Sequence, residues 1–130
     1  MDLSDTKSSS PPIGILHLAS MCREYGYQVD ILDAHAESST IQQILTRVAE
    51  FKPQFLCLTA MTIMIDASAQ IAKEVKSYFP DIITIIGGVH VTAEPIETLR
   101  RYPCLDYAVI GEGEIVLIDF LDKCRKDRNF

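Results

Sequence analysis

The sequence lacks the surplus of lysine and arginine that a nucleic-acid partner requires. Its 12 basic and 18 acidic residues give a formal net charge of −6 at pH 7, which repels phosphate backbones. Long apolar runs are also lacking, because none approaches the ~18–20 residues that span a bilayer. No charged-then-apolar leader opens the sequence. We therefore expect no nucleic-acid partner, no membrane span and a cytoplasmic location.

Cysteine pairs at metal-ligand spacing are lacking as well. Cys22, Cys57, Cys104 and Cys124 are widely scattered, form no C-x-x-C pair and have no histidine at ligand spacing. Cys57 lies inside an apolar run, where a reduced thiol packs as a small hydrophobic group. The pattern predicts reduced thiols, as is usual in the cytoplasm, rather than disulfides or a metal site.

The sequence does contain enough apolar chain for one domain, with 130 residues of which 48% are hydrophobic and 23% charged. Residues 1–10 are polar and aperiodic, which predicts a disordered tail or a cloning remnant. Residues 11–124 carry the predicted helices and strands. Residues 125–130 are interpreted as the start of a linker to a downstream domain outside this chain.

Short apolar runs alternate with amphipathic stretches along the domain. The runs predict four strands, at 28–34, 55–61, 82–86 and 107–110. The stretches predict five helices. The first covers 13–25 with Gly26 past its end, and the second runs from Ile41 to a stop at Lys52-Pro53. The other three begin at an Asp66 cap, at Pro95 and after Glu114.

Two details of these helices can be tested directly. Thr40 and Gln43 match a capping box at the start of the second helix. The third helix is predicted to bury a stripe of Ala67, Ile71, Val75, Tyr78 and Phe79.

The alternation of strands and helices predicts an α/β fold with a parallel sheet. The central strands, including 55–61, are apolar throughout and are expected to be buried on both faces. The expected architecture is a Rossmann-like (flavodoxin-like) three-layer α/β/α arrangement. No strand precedes the first helix, so the usual first strand is interpreted as lost.

Ligands of parallel sheets bind outside the carboxyl ends of the strands. Four loops, 35–39, 59–65, 87–92 and 111–114, follow those ends here. Most of them are small, hydroxylic or glycine-rich, which lets a ligand approach the main chain and bond its N–H groups. The alternative is that the glycines only form tight turns.

Several familiar sites are excluded. There is no phosphate-binding P-loop, and Gly111-Glu112-Gly113 lacks the third glycine of a dinucleotide fingerprint and follows the last strand. A phosphoacceptor receiver would need an aspartate closing the middle strand, where this chain has Thr59-Ala60-Met61-Thr62. No serine or cysteine has a His–acid pair legible in sequence, which leaves open only a triad assembled in space.

Four motifs occur in a specific order and spacing. They are Pro11-Pro12-Ile13-Gly14, Gly26-Tyr27-Gln28-Val29, Gly87-Gly88-Val89-His90 and Gly111-Glu112-Gly113-Glu114. Together they resemble the N-terminal cobalamin (B12)-binding domain of class B radical S-adenosylmethionine enzymes. That group includes methyltransferases and the anaerobic oxidative cyclase of magnesium-protoporphyrin monomethyl ester. The resemblance covers residues 11–124.

The resemblance implies that cobalamin is the cofactor and that its nucleotide tail enters a slot at the strand ends. The implied cofactor contacts are Thr59, Ala60, Met61, Thr62, Gly87, Gly88, Val89, His90, Gly111, Glu112 and Gly113. Thr59-Ala60-Met61 and Gly87-Gly88 would line the slot, His90 would lie near the ring edge, and the 111–114 turn would approach the tail or the rim of the corrin. The Thr59 hydroxyl would bond the dimethylbenzimidazole base, and Gly88 would leave room for the tail. His35 imitates a cobalt ligand of other B12 domains, but it lies too close to Thr59 in sequence, so no metal ligand is predicted.

The resemblance also implies a larger parent enzyme, because the family's iron–sulfur cluster and S-adenosylmethionine bind in a downstream radical domain. We expect this chain to be a cofactor-holding module that is not catalytic alone, in a parent that transfers methyl groups or cyclises. Its partners would be cobalamin, the radical domain and, through an open sheet edge, a second copy. The alternative is a flavodoxin-like interaction or scaffold domain without a cofactor.

Overall fold

The computed structural model describes residues 13–32, 40–59, 65–88, 93–110 and 113–128. The chain divides into two compact units, Met1–Lys52 and Pro53–Phe130. The first unit contains helices α1 (Ile13–Glu24) and α2 (Ile41–Phe51), and the second contains a sheet with helices on its faces. Within the described ranges no helix has both the length and the apolar character that crossing a membrane would need.

Helix α1 ends at a glycine in a left-handed conformation. Gly26 has a φ of 91°, and its N–H donates to the carbonyl of Arg23 at 3.1 Å. The N–H of Tyr27 donates to the carbonyl of Cys22 at 3.0 Å. These two bonds satisfy carbonyls that have no donor within the helix. The predicted stop at Gly26 is confirmed.

Helix α2 begins with the predicted capping box. The Gln43 N–H donates to the Thr40 hydroxyl at 3.1 Å, and the Thr40 N–H donates to the Gln43 side chain at 2.8 Å. Ile44 and Val48, one turn apart, are buried. The start and the amphipathic period of this helix were therefore legible in the sequence.

The strand predicted over 28–34 is wrong for the residues that the structure describes, which belong to no sheet. Its last two residues lie outside the described ranges. The Val29 carbonyl accepts a hydrogen bond from the Arg23 guanidinium at 2.9 Å, and the Ile31 carbonyl accepts one from Arg47 at 3.1 Å. Arginine side chains thus use backbone acceptors that a neighbouring strand would need.

In the second unit three parallel strands form a sheet in the order β1-β2-β3. They are β1 (Phe55–Thr59), β2 (Ile83–Gly87) and β3 (Tyr107–Ala108). The parallel α/β prediction is confirmed, and the central strand β2 is buried up to its final glycine. Strand β1 is partly exposed, contrary to prediction, because among the described residues it is bonded to β2 alone.

Helices cover both faces of this sheet. They are α3 (Ile65–Tyr78), α4 (Pro95–Arg101) and α5 (Gly113–Arg128). On one face Ile65 and Ala72 of α3 pack in a cluster with Ile86 of β2, and Leu99 of α4 packs against it. On the other face the Phe120 ring of α5 contacts the sheet. The predicted three-layer α/β/α architecture is confirmed.

Helix α3 buries a different stripe from the one predicted. Its buried residues are Ile65, Ser68, Ala69, Ala72 and Val75. Of the predicted members, Val75 is buried, whereas Ala67 and Tyr78 are exposed. Asp66 lies inside the first turn and is not the cap. The prediction followed the large apolar side chains, whereas small side chains occupy most of the buried face.

Asp106 ties the start of β3 to β2 at the amino edge of the sheet. Its carboxylate accepts the N–H of the fully buried Thr84 at 2.9 Å and forms an ion pair with Lys76. The Asp106 N–H donates to the Thr84 carbonyl at 3.0 Å, and the Thr84 hydroxyl donates to the Cys104 carbonyl at 2.6 Å. Burial raises the pKa of Asp106, but the bonds from Lys76 and Thr84 outweigh it, so this pKa lies below its ordinary value.

We expect Asp106→Asn to destabilise the fold by about 1–3 kcal/mol, because the Lys76 ammonium loses the negatively charged carboxylate to which it is hydrogen-bonded. Since the Asp106 pKa is lowered on folding, its stabilisation is present above the unfolded pKa of about 4 and lost as pH falls through the folded value. Urea unfolding at pH 7 and at pH 3 should show the difference between the two proteins shrinking at low pH.

The matched control is Asp119→Asn, because Asp119 forms an ion pair with Lys123 at 3.1 Å with both side chains largely exposed. That change should cost less than about 1 kcal/mol. Equal losses for the two variants at pH 7 would contradict the role assigned to Asp106.

Candidate functional site

The carboxyl ends of the three strands lie side by side. Thr59, the last residue of β1, is paired with Gly87, the last residue of β2. Beyond β3, the Val109 N–H donates to the Ile86 carbonyl at 2.8 Å, so the pairing continues one residue past the strand. Thr59, Gly87 and Val109 therefore form one row across the sheet, with neighbours about 4.8 Å apart. We call these three residues the edge row.

The edge row belongs to the face of the sheet that carries α5. Side chains alternate between faces along a strand, and Leu58 and Ala108 pack in the cluster on the α3 face. Their neighbours in sequence, Thr59 and Val109, therefore point to the opposite face. The ring contacts of Phe120 with Phe55 and Tyr107, at centroid distances of 6.4 and 4.7 Å, place α5 on that face.

On this face, β2 carries two isoleucines and then a glycine at the carboxyl edge. The register places Phe55 beside Ile83, then Cys57 beside Ile85 and Tyr107, and then Thr59 beside Gly87. Thr59 is exposed and Gly87 is partly exposed. The edge row carries no charge, and the Thr59 hydroxyl is its one polar side-chain group. The edge row can therefore offer a ligand one hydrogen-bonding side chain and no charge.

Gly87 and Gly88, at the end of β2, differ in whether the structure requires a glycine. A Cβ at Gly87 would meet the Val109 carbonyl oxygen at 3.8 Å and the Val109 Cβ at 3.9 Å, which is ordinary van der Waals contact. The described neighbours therefore do not require a glycine at this position. Gly88 has a φ of 116°, a conformation that other residues rarely adopt. The backbone conformation explains Gly88, whereas neither the backbone nor the described neighbours require a glycine at position 87.

Helix α5 begins at Gly113, shortly after the pairing at Val109 ends. The first turn of a helix presents unpaired N–H groups and the positive end of the helix dipole. In a parallel α/β unit this end lies at the carboxyl edge, where it favours a negatively charged group. The chain thus follows an uncharged edge row with the start of a helix, whose second residue is Glu114.

The structure brings some of the predicted site residues together and leaves others undescribed. Thr59, Gly87 and Gly88 lie together at the edge, and Gly113 begins α5. The remaining site predictions, together with His35, fall outside the described residues: Ala60, Met61, Thr62, Val89, His90, Gly111 and Glu112. Among the described residues, no group of three histidine, cysteine or acidic side chains could hold a metal ion.

Sequence reasoning missed two residues of this surface. Val109 was assigned to the strand and not to the site, although it completes the edge row beside Gly87. Cys57 was expected to be packed in the interior, but it is exposed. The alternation of β1 would have placed Cys57 on the same face as Thr59, but no local pattern reports its exposure.

Comparison with known proteins identifies the family of this chain. A sequence model described as "B12 binding domain" matches residues 3–121. Over 121 residues the chain is 36% identical to an uncharacterized methyltransferase of Pyrococcus horikoshii, covering 93% of this chain and 26% of that protein. Over 115 residues it is 34% identical to an anaerobic magnesium-protoporphyrin IX monomethyl ester cyclase of Rubrivivax gelatinosus, covering 85% of this chain and 20% of the cyclase. The chain thus spans about a quarter or less of these relatives.

One solved structure shares the fold. It is the N-terminal domain of a hypothetical protein of Thermotoga maritima, which matches with a TM-score of 0.57 and 23% sequence identity. The match covers 82% of this chain and 80% of that chain. At this identity the likeness supports the three-layer architecture alone.

The two glycines yield a stability prediction. Gly88→Ala should destabilise the protein by about 1–2 kcal/mol, because a Cβ is disfavoured at positive φ. Gly87→Ala should change stability by less than about 0.5 kcal/mol, since its Cβ meets only ordinary contacts. Urea unfolding of both variants tests this contrast, and a large loss for Gly87→Ala would mean that packing in the folded protein requires that glycine.

Proposed function

The chain belongs to the B12-binding domain family, and from that premise we propose that it holds cobalamin by its nucleotide tail at the edge row. The observation that carries this proposal is the pairing of Thr59 with Gly87. It puts a hydroxyl beside a glycine that the described neighbours do not require. A hydrogen-bonding group next to a residue without a side chain is what an aromatic base with a ring nitrogen would need.

Each part of the surface has a distinct task in this proposal. The Thr59 hydroxyl donates a hydrogen bond to the base of the tail. Gly87 leaves the space that the base occupies, and Val109 forms its apolar wall. The start of α5 at Gly113 favours the phosphate of the tail through its N–H groups and dipole. When bound, cobalamin would supply a cobalt centre, and these residues would hold it without taking part in bond making.

For the parent protein we propose a cobalamin-dependent radical S-adenosylmethionine enzyme that transfers methyl groups or performs an oxidative cyclisation. Support comes from the sequence resemblance and from relatives named as a methyltransferase and a cyclase. The iron–sulfur cluster and S-adenosylmethionine belong, in this proposal, to a radical domain outside these 130 residues. The chain itself is a cofactor-holding module in the cytoplasm.

Titration with hydroxocobalamin and with cyanocobalamin tests the binding. We expect a one-to-one complex that survives gel filtration and a shifted corrin absorption spectrum. No retained corrinoid at high micromolar concentration would contradict the proposal and favour a domain that acts only through protein contacts. Measuring the mass of the protein in solution in the same experiment would report that second outcome directly.

Two substitutions test the assigned roles. Gly87→Ala should weaken cobalamin binding about 10-fold or more, because an extra methyl group in a packed contact costs ~1–3 kcal/mol. Thr59→Val should weaken it by a factor of about 2–10, the equivalent of one hydrogen bond.

The matched control for Thr59→Val is Thr46→Val, because Thr46 lies exposed on α2 and its hydroxyl donates to the Gln42 carbonyl at 2.9 Å. This control should bind as tightly as the unchanged chain. Equal dissociation constants for all the variants would overturn the assignment of the edge row.

A further inference from the structure

A cluster of apolar side chains lies on the α3 face of the sheet, opposite the face to which the edge row belongs. Its members include Leu58, Ile86 and Ala108, one from each strand. Each of the three immediately precedes a residue of the edge row in the sequence. The packing of this cluster therefore fixes the backbone from which the edge row projects to the other face.

The first turn of α3 belongs to the same cluster. Ile65, the first residue of the helix, is buried and packs with Ile86. The next residue, Asp66, is exposed, and its carboxylate accepts a hydrogen bond from the Tyr102 hydroxyl. This bond raises the pKa of Tyr102 above its ordinary value. The Tyr102 ring packs against the cluster, so one side chain contacts both the cluster and the start of α3.

A second contact joins the same stretch of chain to α3 further along the helix. The Cys104 thiol donates to the Ala69 carbonyl at 3.3 Å, and Cys104 also packs against the cluster. Helices fray most readily at their ends, and of these two contacts only the Tyr102 bond reaches the first turn. It is therefore the contact that restrains Ile65 on the cluster.

We propose that Tyr102 is a positioning residue for cobalamin binding. By holding Asp66 it keeps Ile65 packed against the cluster, so that the edge row presents one fixed arrangement to the cofactor. Tyr102 acts from the α3 face, whereas Thr59 and Val109 point to the opposite face, so it supports the site without contacting the cofactor. This inference rests on the proposed function, because the edge row is the proposed binding surface.

Removal of the hydroxyl alone tests the role of Tyr102. Tyr102→Phe keeps the ring in the cluster and should weaken binding of cyanocobalamin about 3- to 10-fold, which is typical of residues that act on a site without touching the ligand. The matched control is Tyr78→Phe, because Tyr78 is the last residue of α3 and is exposed. This control loses the same group and should bind as tightly as the unchanged chain.

A pair of substitutions at Asp66 isolates the hydrogen bond. Asp66→Ala and Asp66→Asn both remove the negative charge, but asparagine keeps an oxygen that accepts from the Tyr102 hydroxyl. Asp66→Ala should weaken binding as much as Tyr102→Phe, and Asp66→Asn should restore most of the affinity. The double variant with Tyr102→Phe and Asp66→Ala should bind no more weakly than either single variant, because both changes remove the same bond.

Amide chemical shifts of the free protein report the positioning without any cofactor. Tyr102→Phe should move the signals of Thr59 and Gly87, and Tyr78→Phe should leave them in place. Urea unfolding of each variant confirms that the fold is intact. If Tyr102→Phe does not fold, the comparison of Asp66→Ala with Asp66→Asn decides.

The outcomes separate this inference from the function on which it rests. Unchanged affinity for Tyr102→Phe, equal affinities for Asp66→Ala and Asp66→Asn, or additive losses in the double variant would overturn the inference and leave the proposed function in place. Failure of the unchanged chain to bind cyanocobalamin would overturn both.

Discussion

The rest of the second unit depends on the contacts that the carboxylate of Asp106 makes with Thr84 and Lys76. Strand β3 has only two paired residues, too few to fix its own position in the sheet. Asp106 precedes it and holds Thr84 of β2 by two bonds: the Asp106 carboxylate accepts the Thr84 N–H, and the Asp106 N–H donates to the Thr84 carbonyl. Lys76 of α3 balances the charge of the carboxylate. This tie at the amino edge sets the register that, three residues later, brings Val109 beside Gly87 at the opposite edge.

Local chemistry made much of the fold predictable. The capping box at Thr40 and the left-handed Gly26 depend on residues adjacent in sequence, and both were read correctly. The errors concern features that distant residues decide. The segment 28–34 looked like a strand, but Arg23 and Arg47 take its carbonyls. The buried stripe of α3 is made largely of small residues, because the sheet and not the helix determines which face is covered.

The outline of the site was also predictable from the sequence. Parallel topology alone places the ends of β1 and β2 at one edge, so Thr59 and Gly87 could be expected near each other, and the register makes them direct neighbours. Val109 and Cys57 could not be chosen from the sequence, because the place of Val109 depends on strand register and the exposure of Cys57 on packing by distant residues. Likewise, only the backbone conformation distinguishes the two glycines. The φ of 116° requires a glycine at position 88, whereas nothing in the described structure requires one at position 87.

The central claim is that the edge row, at the carboxyl end of the sheet, holds the tail of a cobalamin. Amide chemical-shift mapping with and without cobalamin tests it most directly, because every strand residue reports separately. The claim predicts the largest shifts at Thr59, Gly87 and Val109 and little change at Thr84 and Asp106 on the amino edge. Shifts centred on the amino edge, or spread evenly over the sheet, would contradict it.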